Sequence, residues 1–306
     1  MFFINNAIMK KSCFLLITSL LFSLSIQGCS KGLKPDKVKN ISRIDRNKNV
    51  SKNNYSDQQL TQISFDEYSI IFAFSDTNGK DILAISDTLP DPKLYTHTIS
   101  EEGKIIPVTY RGKKSGDEEK DFQQVYSNFT NCSGYLFETG NQKVGYKNVN
   151  ILMTDDFLKE RKYIKNLKPE NKFLDKNILD SLESQMGRKI KNSFPIAKID
   201  NRGSLYAVNY ELSGDTALFS FVFVTSGNLL IKDNYGEYDP GGTWRAGDNG
   251  YVKPGMFEVL AAFQGKDGIE FAIDWKGSEG DYIEYLVENG NVLEMAKNEY
   301  RYTLPN

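Results

Sequence analysis

"SLYAVNYELSGDTALFSFVFV", residues 204–224, decides the fold class of this chain. In its first half Tyr206, Val208, Tyr210 and Leu212 alternate with Leu205, Ala207, Asn209 and Glu211. That period of two puts one set of side chains on each face of a β-strand. "SGD" supplies turn chemistry, and "TALFSFVFV" is apolar at odd and even positions alike, as in a central strand covered on both faces. The alternation returns in "GIEFAIDWK", residues 268–276, where Ile269, Phe271, Ile273 and Trp275 oppose Glu270, Ala272, Asp274 and Lys276. Both alternating strands are expected to have one core face and one wet face.

Working outward, "NRG", "SGD", "TSGN", "GKDG", "SEGD" and "NGN" punctuate the chain from Phe194 to its end, apart from one long insertion. Residues 193–306 are therefore expected to form an antiparallel meander of about eight strands, as a barrel, a curved sheet or a partial propeller. Residues 61–153 form a second β region. There "YSIIFAFS" places Tyr68, Ile70, Phe72 and Phe74 on one face, "DTNGKD" turns, and "ILAIS" follows. Further strands are expected at 104–111, 122–130, 134–139 and 146–153. Residues 154–192 break the pattern. "TDDFLKERKYIKNLKP" opens on an N-cap Thr154 and two acids and stops at Pro169, and Leu174, Ile178, Leu182, Met186 and Ile190 then recur every four residues. The fold class expected is mainly β, with a short two-helix insertion.

At the other end, Lys10 and Lys11 precede "CFLLITSLLFSLSI", Cys13 to Ile26, which is too short for the roughly 20 apolar residues of a membrane span. It has the basic and apolar regions of an export signal. "LSIQGC", Leu24 to Cys29, ends in a small residue and a cysteine, and here the chain resembles the export signals of bacterial lipoproteins, with Gln27 at a place where that family carries a small residue. The resemblance implies removal of residues 1–28 and lipidation of Cys29. Several acyl chains, at about 0.8 kcal/mol per buried methylene, hold a soluble body at a bilayer. Ser30 lacks the Asp that marks inner-membrane retention in enteric lipoproteins, so the resemblance points to the outer membrane, facing the periplasm.

Residues 29–60 read as a tether. Between 30 and 58 there are eight Lys or Arg against three Asp, and residues 59–306 hold 28 basic against 37 acidic residues, a net of −9. So polar a segment cannot bury enough apolar area to offset its ordering entropy. It reaches on the order of 30 Å and also suits anionic headgroups. The acidic body argues against nucleic acid as a partner. Cys132 is the one cysteine of the body, with no partner for an internal disulfide, and is expected to be a buried small hydrophobe.

The search for chemistry returns absences. His97, in "LYTHTIS", is the only histidine and is expected to make a local hydrogen bond on a strand, and zinc sites built on several His or Cys have no ligands. No GxSxG, SxxK or phosphate loop occurs, and no cofactor is implied. Acids meeting from distant strands leave a carboxylate-based hydrolase open. "DNYGEYDPGGTWRAGDNGY", residues 233–251, fails the calcium-loop template at Tyr235. Within it "DPGGTW", Asp239 to Trp244, resembles the Asp-box of sialidases, with Glu237 where that family has Ser or Thr. The resemblance implies a hairpin turn remote from catalysis. Tyr235, Tyr238, Trp244, Arg245 and Tyr251 are of the types that dominate binding hot spots, on a long insertion in an otherwise tight-turned sheet. They form a candidate binding loop, and the competing reading is that they pack the loop onto the sheet.

Two functions fit. One is a non-enzymatic binding lipoprotein, most concretely an immunity or inhibitor protein whose acidic body captures a basic envelope-targeting toxin or hydrolase. The other is a glycan-binding lipoprotein using the aromatic loop.

Overall fold

The computed structural model describes residues 65–165, 172–240 and 249–303, which form two β-sheets and two short helices. The export signal, Cys29, the whole basic tether, Trp244 and Arg245 lie outside the described residues.

The first sheet contains β1 (Ile70–Ser75), β2 (Asp81–Ala84), β3 (Tyr95–Ile99), β4 (Ile105–Pro107), β5 (Thr109–Lys114), β6 (Gly134–Glu138) and β7 (Asn150–Thr154). They run in the order β4-β3-β7-β1-β2-β6-β5 and curl into a half-barrel. Central β1 is buried on both faces. Ile70, Phe72 and Phe74 face the second sheet, while Ile71 and Ala73 join Ile82, Tyr95, Phe137 and Leu152 on the other side. Tyr68, expected on the face of Ile70, precedes the strand and is exposed. The "DTNGKD" turn closes on the Asp76 carboxylate, which accepts the Lys80 and Asp81 N–H groups at 2.9 and 3.2 Å. Gly79 takes φ +68° there, the left-handed region that glycine enters without strain.

The strand expected at 122–130 does not form; a single 3-10 turn at Tyr126–Asn128 takes its place. Side chains supply the reason. The Asn128 amide donates to the Lys120 and Gln123 carbonyls at 2.8 and 3.0 Å, and the Cys132 thiol donates to the same Gln123 carbonyl at 3.1 Å. These bonds hold the backbone in a loop that a ladder would have to displace. Cys132 is buried as expected, and its burial pushes the thiol pKa up to about 11.

The second sheet contains β8 (Lys162–Ile164), β9 (Ile190–Ile199), β10 (Gly203–Tyr210), β11 (Thr216–Val224), β12 (Leu229–Glu237), β13 (Phe257–Gln264), β14 (Ile269–Lys276), β15 (Gly280–Asn289) and β16 (Val292–Tyr302). All eight strands expected after residue 193 are present. They are two four-stranded meanders rather than one, because the order β8-β13-β14-β15-β16-β12-β11-β10-β9 joins β16 to β12 in parallel at Ile231 opposite Val292. Strand β9 comes round against β13, so the sheet is a nearly closed barrel. Phe219, Phe221, Phe223, Phe257, Phe271 and Trp275 fill it, with Phe219 edge-on to Trp275 at 5.0 Å.

The two helices are present and shorter than the sequence suggests. Helix α1 (Asp155–Lys159) begins as expected, with the Thr154 hydroxyl accepting the Phe157 N–H at 3.1 Å and Asp155 and Asp156 in its first turn. The expected continuation towards Pro169 is instead strand β8, paired with β13. Tertiary contacts decide this: Ile164 enters the barrel core, Tyr163 packs on the opposite face, and the Arg161 Nε reaches Glu270 at 2.6 Å. Helix α2 (Lys176–Met186) keeps the four-residue stripe of Ile178, Leu182 and Met186, which pack on one cluster. It stops at Gly187, φ +62°, so Ile190 starts β9 rather than a further turn.

Both expectations of a wet strand face are overturned. In β10, Leu205 and Ala207 point into the barrel, and Tyr206, Val208 and Tyr210 lie beneath α2 with Leu182. In β14, Ile269, Phe271, Ile273 and Trp275 fill the barrel as expected, but Glu270, Ala272 and Asp274 face the first sheet and are buried as well.

Candidate functional site

The covered polar face of β14 places charged groups between the two sheets, and a cleft of about 330 Å³ opens beside them. Its walls are the β3–β4 turn at Ser100 and Glu101, the segment from Gly145 to Ile151, and Glu258 to Leu260 of β13. The Asn150 amide shapes the second wall by donating to the Gly145 and Asn148 carbonyls at 3.2 and 3.3 Å. Tyr146 stands at the rim, edge-on to Tyr126 at 5.1 Å and 5.6 Å from the Lys147 ammonium. Glu258 is held from both sides: the Asn148 amide donates to one carboxylate oxygen at 2.8 Å and the Lys276 ammonium to the other at 2.7 Å.

Behind Glu258, antiparallel register sets Asp274 opposite it on β14, and Asp281 of β15 opposite Lys276. Asp281 is paired with Arg301 of β16, whose Nε donates to it at 2.9 Å, both side chains being almost fully buried. Asp274 is completely buried, and neither of its carboxylate oxygens has a hydrogen-bond partner among the described residues. Burial is the main cause that raises its pKa to about 7, reinforced by the Asp281 charge and opposed by Arg301 and Lys276. Burial also pulls on Lys276, but the bond and charge of Glu258 outweigh it and the ammonium pKa rises. A substrate cannot touch Asp274 in this arrangement, so its raised pKa is a property of packing rather than of a general acid poised in a cleft.

The residues singled out from sequence are distributed differently. Tyr235 projects from β12, half exposed, Tyr238 lies against Gly250, and the Tyr251 ring sits 5.9 Å from the Lys191 ammonium. These three tyrosines have different neighbours. His97 does make a local bond, to the Thr96 hydroxyl at 3.0 Å, and lies 3.1 Å from Asp155. Every one of these contacts uses the same ring nitrogen, Nδ1. A catalytic relay needs one nitrogen for the nucleophile's proton and the other for the carboxylate. The residues that sequence reasoning missed are Glu258, Asp274 and Asp281. They are three of six acids in residues 258–281, and their only signal is that they fall on successive strands whose turns are tight enough to stack them.

No protein-family model matches the chain, and no curated protein or solved structure matches it.

Proposed function

We propose that this chain is a bacterial envelope lipoprotein, lipidated at Cys29, whose β body binds a partner without performing chemistry on it. Its most concrete form is an immunity or inhibitor protein that neutralises a basic envelope-targeting toxin or hydrolase. The observation that carries the reading is the cleft between the sheets, where the Glu101 carboxylate lies beside the Tyr126–Tyr146 rim. Exposed aromatics flanked by acids suit the lysine and arginine side chains of a basic partner. The net charge of −9 over residues 59–306 would steer such a partner towards the body. A basic tether of about 30 residues fits a protein that searches the space next to a membrane.

The test has two arms. Fractionated cells carrying Cys29→Ser should release the protein from membranes; retention there removes the anchor from the proposal. For the body, the full-length protein in detergent should retain a basic protein from an envelope extract, and Glu101→Lys with Tyr146→Ala should weaken that capture at least tenfold. Capture indifferent to both substitutions moves the partner away from the cleft.

A further inference from the structure

The barrel has a slot in its wall between β12 and β16. These two strands pair only where Ile231 meets Val292, with the Ile231 N–H donating to the Asn291 carbonyl at 3.2 Å, and then part. The far end of the slot is bridged from the first sheet's side of the molecule. There the N–H and carbonyl of Tyr302 are bound by the Gln124 side chain and N–H at 3.3 and 2.9 Å. Between these two ends the inner face of β16 is uncovered: Met295, Asn298 and Tyr300 share a face with Tyr282, Glu284 and Leu286 of β15, yet all three are exposed. A closed barrel would bury that face.

The floor of the slot is polar. Glu284 on β15 reaches past β16 to Lys232 of β12, with Nζ and Oε1 3.1 Å apart, and Lys232 also donates to the Asn234 side chain. Glu284 is 3 % exposed, and its second oxygen, Oε2, has no hydrogen-bond partner among the described residues. A buried carboxylate oxygen without a donor is unfavourable, and a ligand that supplies one gains by it.

We propose that this slot is a binding site for a neutral saccharide, with one sugar hydroxyl donating to Glu284 Oε2 and a sugar face lying on Tyr300. Lys232 already neutralises Glu284, so a second cation would meet an ammonium where a hydroxyl would not. Tyr300, Tyr282 and Met295 offer apolar faces to sugar C–H groups, and the Asn234 and Asn298 amides both donate and accept. The site is separate from the cleft beside Glu258 and does not depend on what that cleft binds.

The experiment titrates the full-length protein in detergent with two neutral probes, the β-1,4-linked tetramer of N-acetylglucosamine and cellotetraose, by saturation-transfer NMR and calorimetry. At least one should bind. Glu284→Gln, which keeps the shape of the side chain, and Tyr300→Ala, at an exposed position, should each weaken binding at least tenfold, while Phe173→Ala, at an exposed position outside both sites, should leave it unchanged. Absence of binding by both probes at millimolar concentration overturns the proposal. So does binding indifferent to the two slot substitutions, or a slot that instead takes a decalysine peptide in a manner abolished by Glu284→Gln.

Discussion

Glu258 and Asp274 stand opposite one another on β13 and β14, and their environments are opposite too. Glu258 is bound by Asn148 and Lys276, whereas Asp274, one strand deeper, has neither oxygen satisfied among the described residues. Burial, reinforced by the Asp281 charge, raises the Asp274 pKa to about 7.

This sets the pH dependence of stability. The folded-state pKa of Asp274 is raised above its unfolded value near 3.8, so the folded protein binds more protons between those limits. The contribution is fully present below about pH 3.8 and is lost as pH rises through 7, on the order of 4 kcal/mol in all. Asp274→Asn, an uncharged side chain of the same shape, should unfold at higher urea than the parent at pH 8. At pH 5 the gap should shrink to roughly a third of that, and it should close only near pH 3.8. Urea midpoints that fall in parallel for both proteins between pH 5 and 8 would assign the dependence elsewhere.

Arg301 should be far less tolerant. Arg301→Ala leaves Asp281 buried without its partner, beside Asp274, and should cost about 3–5 kcal/mol. Arg301→Ala with Asp281→Asn should recover most of that loss in denaturant titrations, because the stranded charge is gone.

Helix α2 acts through one fully buried side chain. Leu182→Ala should destabilise the protein by about 2–5 kcal/mol, since Leu182 lies among Tyr206, Val208, Tyr210 and Leu218. Phe173→Ala, 71 % exposed, should change stability by no more than about 0.5 kcal/mol in the same assay.

Cys132 should behave as an inert core residue. With a thiol pKa near 11 and a bond to the Gln123 carbonyl, it should resist iodoacetamide at pH 7.5 in the folded protein and react once urea unfolds it. Peptide mass mapping of Cys132 before and after unfolding reads this directly.

Much of the fold is legible in the chain because its determinants are local. Period two in "SLYAVNYEL" and "GIEFAIDWK" and the unbroken apolar run of "TALFSFVFV" give the strands and the inner face of β14, and Thr154 with two acids gives the start of α1. The misses occur where distant residues override local preference. Helix-like residues 160–165 became β8 because β13 offered a ladder and Glu270 a partner for Arg161. Residues 122–130 became a loop because Asn128 and Cys132 bind its carbonyls.

The sequence by itself determined that this is a β-rich body with an acidic balance, behind a basic stretch, since composition and period are properties of neighbours along the chain. Only the tertiary structure decided that Glu270, Asp274 and Asp281 are buried, that the meander splits into two halves joined at Ile231 and Val292, and that β16 leaves an inner face exposed. Alternation states which side chains share a face. What covers that face depends on other elements, helix α2 for β10 and, for β14, a sheet contributed by residues more than a hundred positions away.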